Sequence, residues 1–221
     1  TLQAKGHSHV LSVVLASGVH YAGVAAAEAV AVHPELQQES AAVCKAYYKL
    51  RELFEAGLIG GVEGKRAIDV GAAPGGWTQC LQEQGASHII AVDPGALTLT
   101  NMDRIEHIQT KVQDCIAKLE QRGEKLDLFV CDMNCSPSEA AVVLRNTRPV
   151  LKEGATVVMT FKKFSEEGKC TQESYRRDKD SALDGLRDIC SDLKVVHLFA
   201  NTTLERTLIA TLAATPAEGS R

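Results

Sequence analysis

Seven short apolar segments, most of them separated by helical patterns, are the feature that most restricts the fold of this chain. Each segment has the length and the composition of a buried β-strand. The segments are residues 65–71, 88–93, 105–110, 126–132, 155–163, 194–201 and 206–214. Because strands and helices alternate, the pattern predicts a mostly parallel sheet with helices on both faces, a Rossmann-like α/β fold.

Amphipathic patterns between these segments predict the covering helices. The predicted helices are residues 40–56, 75–85, 111–121, 138–151 and 172–191. Ser40 is a candidate cap for the first helix, and Gly57 lies just beyond its end. Only a few residues join the last two predicted strands, too few for a crossover helix, so the final strand must run antiparallel to its neighbour.

The length of 221 residues and a hydrophobic content of 45% suffice for one buried core. We assign residues 40–214 to this domain and residues 215–221 to a frayed tail. Residues 1–39 form an N-terminal extension, which belongs either to this domain or to a truncated upstream domain. The chain begins with threonine, which is compatible with a natural N-terminus further upstream.

A long apolar stretch at residues 10–32 raises the question of a membrane span. It contains Glu28, and an acid near the centre of a span costs roughly 2.5–3.5 kcal/mol. We therefore expect no membrane partner. The seven cysteines are odd in number and form no CxxC pair, which favours reduced thiols, an intracellular location and no metal site.

The turn that follows the first central strand reads GAAPGG, residues 71–76, and consists almost entirely of small residues. Ligands of open α/β sheets bind beyond the carboxyl ends of the strands, where this turn lies. Its spacing differs from the G-x-G-x-x-G of dinucleotide folds. Asp93, at the end of the next strand, is placed to accept hydrogen bonds from a ribose diol. Together they favour S-adenosyl-L-methionine over NAD. The alternative is a tight turn with Asp93 as a helix cap.

Two further residues are candidate ligand contacts with ordinary structural alternatives. Asp114 follows the third strand, where the adenine amino group of such a ligand would lie, although an acid there often caps a helix. Trp77 is the single tryptophan, and it either covers the ligand or fills the interface between helix and sheet.

The segment DVGAAPGGWTQ resembles the first motif of the FtsJ-like ribose 2′-O-methyltransferases. The similarity continues through AVDPGAL, VCDM, TFKK and LERTLIATLA and covers roughly residues 40–214. Within that family, VCDMNCSPSEAAVVL and VVMTFKKF look closest to the RlmM-type members, which methylate a cytidine ribose in large-subunit ribosomal RNA. The resemblance implies the fold of S-adenosylmethionine-dependent methyltransferases, with a sheet of seven strands.

The resemblance also implies a Lys-Asp-Lys-Glu catalytic set, which falls on Lys49, Asp132, Lys162 and Glu205. Two departures from the family pattern affect this assignment. The residues before the first lysine are Cys-Lys-Ala rather than Ser-Arg-Ser or Ser-Arg-Ala, and Lys162 requires the longer strand of the RlmM-type form, with Lys163 as the alternative. The predicted cofactor contacts are Gly71, Ala72, Ala73, Pro74, Gly75, Gly76, Trp77, Asp93, Asp114 and Asp132.

The chemistry explains why these residue types are needed. A ribose 2′-hydroxyl holds its proton far above neutral pH, so methyl transfer needs a cation that stabilises the alkoxide or an amine that takes the proton. Lys162 is able to do either, and the sequence leaves both roles open.

The resemblance implies an RNA substrate, with ribosomal RNA as the first candidate and DNA not expected. The net charge of −4 requires local positive charge to hold RNA. Tyr47 and Tyr48 are candidates to stack one base. Relatives often carry an added RNA-binding domain, and none is visible in this sequence. We therefore expect a missing RNA-binding segment or a partner protein to recognise the RNA. The candidate cations are Lys45, Lys49, Arg51, Lys162, Lys163 and residues 175–179.

Other functions share part of this pattern. A cap-directed methyltransferase would share the four polar residues, and a non-catalytic relative would bind RNA without methyl transfer. An NAD-dependent dehydrogenase conflicts with the glycine spacing.

Overall fold

The computed structural model describes residues 8–16, 19–26, 42–164 and 170–214. The chain divides into two compact units, residues 1–41 and 42–221. In the smaller unit, strands β1 (His9–Ala16) and β2 (Val19–Ala26) form an antiparallel pair. The described part of the apolar stretch at 10–32 is therefore extended. Within the described ranges, no helix is long and apolar enough to cross a membrane.

The larger unit contains a seven-stranded sheet and five α-helices within its described residues. In chain order the elements are α1 (Ala46–Glu55), β3 (Arg66–Val70), α2 (Gly76–Glu83), β4 (His88–Val92), β5 (Ile105–Ile108), α3 (Val112–Gln121), β6 (Leu126–Cys131), α4 (Pro137–Thr147), β7 (Leu151–Phe161), α5 (Gln172–Leu186), β8 (Cys190–Val196) and β9 (Arg206–Leu212). A 3₁₀ turn, Arg148–Val150, joins α4 to β7.

The strand order in the sheet is β5-β4-β3-β6-β7-β9-β8. Strands β3 to β7 pair in parallel, whereas β9 is antiparallel to both β7 and β8. This confirms the predicted seven-stranded, mostly parallel sheet with an antiparallel last strand. The order reverses between β3 and β6, and a reversal of this kind opens a crevice at the carboxyl ends of the two strands.

Apolar side chains pack on both faces of the sheet. Ile68 and Val70 of β3 belong to a core cluster with α3, α4 and α5, whereas Ala67 belongs to a second cluster with α1 and α2. Because successive side chains of a strand point to opposite faces, Asp69 faces the α1 and α2 layer. A strand buried on both faces must be apolar nearly throughout, which is why β3 and β4 were readable from the sequence.

Side-chain caps mark the starts of two helices. At the start of α4, the Ser136 hydroxyl accepts the Glu139 N–H and the Glu139 carboxylate accepts the Ser136 N–H. Pro137 occupies the first helical position. Thr171 and Ser174 form the equivalent arrangement at α5. Caps of this kind satisfy N–H groups that the helix itself leaves unpaired.

Several predicted boundaries were wrong. Strand β7 begins at Leu151 rather than residue 155, and β8 spans Cys190–Val196 rather than 194–201, so the last residues of the helix predicted at 172–191 are strand. Strand β8 lies at the lateral edge of the sheet, is mostly exposed and has a register irregularity between Ser191 and Lys194, which hides its alternation. The proposed cap Ser40 lies outside the described residues, and α1 begins at Ala46 without a side-chain cap.

Candidate active site

The glycine turn after β3 is held by close contacts with the rest of the domain. Gly71 has φ +79°, which is unfavourable for residues with a side chain, and a Cβ there would overlap Met133. Gly76 begins α2, where a Cβ would lie 2.6 Å from Cys44 Sγ and 2.9 Å from the backbone nitrogen of Tyr47. The small residues of the turn therefore let α2 approach the start of α1.

A cavity of about 330 Å³ lies beside this turn, at the carboxyl ends of β3 and β6. Its volume is in the range of small-molecule sites, roughly 300–1,000 Å³. The lining residues are Cys44, Ala46, Asp69, Gly71, Ala72, Ala73, Pro74, Gly76, Trp77, Asp93, Asp132, Asn134 and Lys162. Eight of the ten predicted cofactor contacts are among them, whereas Gly75 and Asp114 are not. Asp114 is exposed in the first turn of α3.

Asp93 lies at the cavity with its carboxylate already oriented by the backbone. One oxygen accepts the Ala73 N–H at 3.2 Å, and the other accepts the Gly95 N–H at 2.6 Å. Each carboxylate oxygen retains acceptor capacity, so contact with a ribose diol stays a prediction.

Trp77 combines the two roles that the sequence left open. Its side chain is buried in the cluster between α1, α2 and the sheet, and it also lines the cavity. The indole Nε1 donates a hydrogen bond of 2.7 Å to the carbonyl of Ala46, which ties α2 to the start of α1.

The structure brings together the four residues of the proposed catalytic set. Lys49 Nζ lies 3.1 Å from Asp132 Oδ1 and 3.1 Å from Glu205 Oε2. Lys162 Nζ lies 3.3 Å from Asp132 Oδ1 and donates a 2.6 Å hydrogen bond to the Asp132 carbonyl. The four side chains thus form a continuous polar cluster. Lys162 and Asp132 also line the cavity, so this cluster adjoins the glycine turn.

Two cations and two anions compensate each other in this mostly buried cluster. Burial by itself would raise the pKa of Glu205, but the Thr202 N–H and the ammonium groups of Lys49 and Lys162 outweigh it and lower that pKa. Glu205 therefore stays ionised near neutral pH. Unpaired charges at this depth would cost several kcal/mol each, so the cluster is stable only as a set.

Comparison with known proteins gives a match to the FtsJ-like methyltransferase family over residues 42–200. The chain belongs to the FtsJ-like methyltransferase family. A ribosomal RNA large subunit methyltransferase M of Aggregatibacter aphrophilus is 33% identical over 146 residues, which are 62% of this chain and 37% of that protein. A 16S/23S rRNA (cytidine-2′-O)-methyltransferase TlyA of Mycobacterium tuberculosis is 34% identical over 100 residues, 43% of this chain and 37% of that protein. The chain spans less than two fifths of the length of these relatives.

Solved structures of other proteins share the fold of this chain. Aeropyrum pernix fibrillarin, crystallised with natively bound S-adenosyl-L-methionine, superposes with a TM-score of 0.52 and 26% identity over 75% of this chain and 76% of that chain. The pre-rRNA processing protein fibrillarin of Methanococcus jannaschii has a TM-score of 0.57 at 11% identity, over 97% of this chain and 88% of that chain. The fold is that of the S-adenosylmethionine-dependent methyltransferases.

Four residues that line the cavity of this FtsJ-like domain were not predicted as site residues from the sequence: Cys44, Ala46, Asp69 and Asn134. Asp69 is buried within β3, and its Oδ2 accepts a 2.6 Å hydrogen bond from Thr78 Oγ1 on α2. Burial raises the pKa of Asp69 to about 7, even though the hydrogen bond from Thr78 opposes that rise. The available signal was an acid inside an otherwise apolar strand, which requires a partner or a function.

The tyrosines of the FtsJ-like domain do not offer the surface that the sequence led us to expect. Tyr47 is 3% exposed, and its hydroxyl donates to Glu83. Tyr48 is half-buried, with its ring edge-to-face against Tyr47 at a centroid distance of 5.3 Å. Because the Tyr47 ring is buried, it is not available to a base.

The cations proposed to hold RNA differ in their surroundings. The Arg51 guanidinium pairs with Glu55 on the same helix at 2.6 Å, whereas Lys45 and Lys163 are exposed. Tyr175 in the segment 175–179 is buried, and its hydroxyl donates to the carbonyl of Phe161 at the end of β7. The first turns of α5 therefore lie beside the strand end that carries Lys162 and Lys163.

All seven cysteines of the FtsJ-like domain are free thiols. Five are buried, and Cys44 and Cys170 are half-buried. Among the described residues, no group of three or more His, Cys, Asp or Glu side chains has the arrangement of a metal site.

Proposed function

We propose that this chain is an RNA methyltransferase that transfers a methyl group from S-adenosyl-L-methionine to a ribose 2′-hydroxyl. The observation that carries the proposal is the position of Lys162. Its ammonium lines the same cavity as the glycine turn, and it is held there by Asp132. An amine beside a cofactor-sized cavity is suited to act on a hydroxyl group that enters the cavity mouth.

The residues that line the cavity fit the proposed cofactor. Asp132 is already paired with Lys162 and Lys49, and the cavity wall adds the carboxyl groups of Asp69 and Asp93. Carboxyl groups at the wall favour a ligand that carries cationic groups, such as a sulfonium and an ammonium. Asp93 would hold the ribose, and the glycine turn would lie along the amino-acid portion. S-adenosyl-L-methionine supplies the activated methyl group when it is bound.

We assign the following roles to the polar cluster. Lys162 contacts the 2′-oxygen. As a neutral amine it takes the hydroxyl proton, and as an ammonium it stabilises the alkoxide while the proton passes to water. The carboxylate and the carbonyl of Asp132 orient the Lys162 amine. Lys49 bridges Asp132 and Glu205 and, together with Lys162, balances their two charges, so the cluster tolerates burial. Assistance by a general base accounts for about 10²–10⁴ of the rate.

We propose ribosomal RNA as the substrate class, because relatives in bacteria are named as ribosomal RNA methyltransferases. Since the chain matches less than two fifths of those proteins, we further propose that a segment beyond this sequence, or a partner protein, selects the RNA. The exposed Lys45 and Lys163 would then supply local, salt-sensitive contacts to phosphates.

The test is incubation with methyl-labelled S-adenosylmethionine and total RNA, followed by digestion to nucleosides. We expect the label on a 2′-O-methylated nucleoside of ribosomal RNA and no label in a DNA control, because DNA lacks the acceptor hydroxyl. A label on a base would refute the proposed chemistry. A label confined to capped messenger RNA would indicate a cap-directed enzyme, and RNA binding without any label would indicate a non-catalytic relative.

A further inference from the structure

The loop between β8 and β9, residues 197–205, lies at the same end of the strands as the polar cluster. Strand β8 pairs antiparallel with β9, and β9 pairs antiparallel with β7, so β8 ends on the side of the sheet where Lys162 follows β7. The loop terminates in Glu205, which binds Lys49. The loop and Lys162 therefore lie at the same end of the strands.

A carboxylate on α1 fixes the middle of this loop. Glu52 Oε1 accepts the Phe199 N–H at 2.7 Å, and Glu52 Oε2 accepts the Ala200 N–H at 3.0 Å. Hydrogen bonds to an ionised acceptor are about twice as strong as neutral ones. Glu52 follows Lys49 by three residues, a rise of about 4.5 Å on the same side of the helix. The backbone of Phe199 is thus held by a residue that lies about one helical turn after Lys49.

The Phe199 side chain is 86% exposed, the highest value among the large exposed hydrophobic side chains in the described ranges. Single exposed apolar residues are common at protein surfaces. This one differs because hydrogen bonds hold its backbone on both sides. The Leu198 N–H donates to Asn201 Oδ1, and the Thr207 hydroxyl donates to the same oxygen. The ring therefore projects from an ordered loop into solvent beside the cluster.

From this geometry we propose that Phe199 stacks against an unpaired base of the RNA substrate, at a nucleotide that flanks the methylated ribose. This inference rests on the proposed function and adds the residue that positions the RNA. Phe199 takes the stacking role for which the sequence offered Tyr47, whose ring is buried. Base stacking on an aromatic ring tolerates any sequence, because each base has a π-face. Glu52 acts as a positioning residue, since it fixes the backbone that presents the ring.

The experiment uses the full chain and a short single-stranded oligoadenylate that contains 2-aminopurine, whose fluorescence reports stacking. We expect Phe199→Leu to weaken binding about 5- to 140-fold, the factor for the loss of one stacked base, and to abolish the fluorescence change. Phe199→Tyr keeps a flat ring and is expected to bind as the wild type does. Glu52→Ala is expected to weaken binding and to reduce the fluorescence change, although the phenylalanine is still present.

Cofactor binding by each variant, measured by equilibrium dialysis, provides the control for folding and is expected to stay unchanged. If Phe199→Leu binds the oligonucleotide as tightly as the wild type, the inference fails. Failure of the proposed function looks different, because the wild type would show the stacking signal yet transfer no methyl group to any RNA.

Discussion

Replacement of Lys49 by methionine tests whether the polar cluster is stable only as a set. Methionine keeps most of the side-chain volume and removes the charge that lies 3.1 Å from both Asp132 and Glu205. The three side chains are only 9–12% exposed. Loss of one partner from a buried ion pair costs about 3–5 kcal/mol. Lys162 still compensates Asp132, so Glu205 accounts for most of the loss.

Urea denaturation of the wild type, Lys49→Met, Glu205→Gln and the double variant measures this effect. We expect the Lys49→Met and Glu205→Gln losses to be non-additive by more than about 1 kcal/mol, because the double variant leaves no unpaired carboxylate at position 205. The pH dependence has a defined sign. Because the pKa of Glu205 is lowered in the folded protein, its ionised form stabilises the fold at pH values above the ordinary pKa of 4.5. This stabilisation is lost as the pH falls through the lowered pKa.

Lys49→Met removes much of that contribution, so the stability gap between variant and wild type is expected to be widest above about pH 5 and to narrow on acidification. A loss below about 1 kcal/mol, or losses that simply add in the double variant, would refute the view that these charges depend on each other.

Three further predictions concern stability. Burial raises the pKa of Asp69 to about 7, so the wild type loses stability as the pH rises from about 4 to 7. Asp69→Asn removes this loss. The Tm of the variant relative to that of the wild type should therefore be higher at about pH 8 than at about pH 5. Gly76→Ala should lower the free energy of unfolding, measured by urea denaturation, by about 1–3 kcal/mol, because the new Cβ meets the Tyr47 backbone. Gly60→Ala, with open space around the new Cβ, is the control and should leave that free energy unchanged. Ser136→Ala should cost about 1 kcal/mol by the loss of the α4 cap, and an unchanged urea midpoint would contradict that role.

The sequence predicted best those elements whose physical requirements are strict. Strands β3 and β4 are buried on both faces and so read as continuous apolar runs, and the few residues between the last two strands left an antiparallel β9 as the only choice. The predicted bounds of strand β8 were wrong because an edge strand needs little apolar surface. In addition, Asp192, with φ +54°, interrupts its alternation.

Within the candidate site, the motif order predicted Lys49, Asp132, Lys162 and Glu205, which the structure joins through the pairs Lys49–Asp132, Lys49–Glu205 and Lys162–Asp132. The Glu52 contact with Phe199 was not predictable, because it joins positions 147 residues apart through backbone N–H groups that carry no sequence signal.

The most direct test of the central claim is the single-turnover rate of methyl transfer with saturating cofactor and RNA, compared between Lys162→Met and Lys163→Met. The neighbouring Lys163 is exposed, so its loss is expected to affect only RNA affinity and to leave this rate unchanged. We expect a rate about 10²–10⁴ lower for Lys162→Met, with cofactor affinity retained. A wild-type rate in Lys162→Met, or a large loss confined to Lys163→Met, would contradict it.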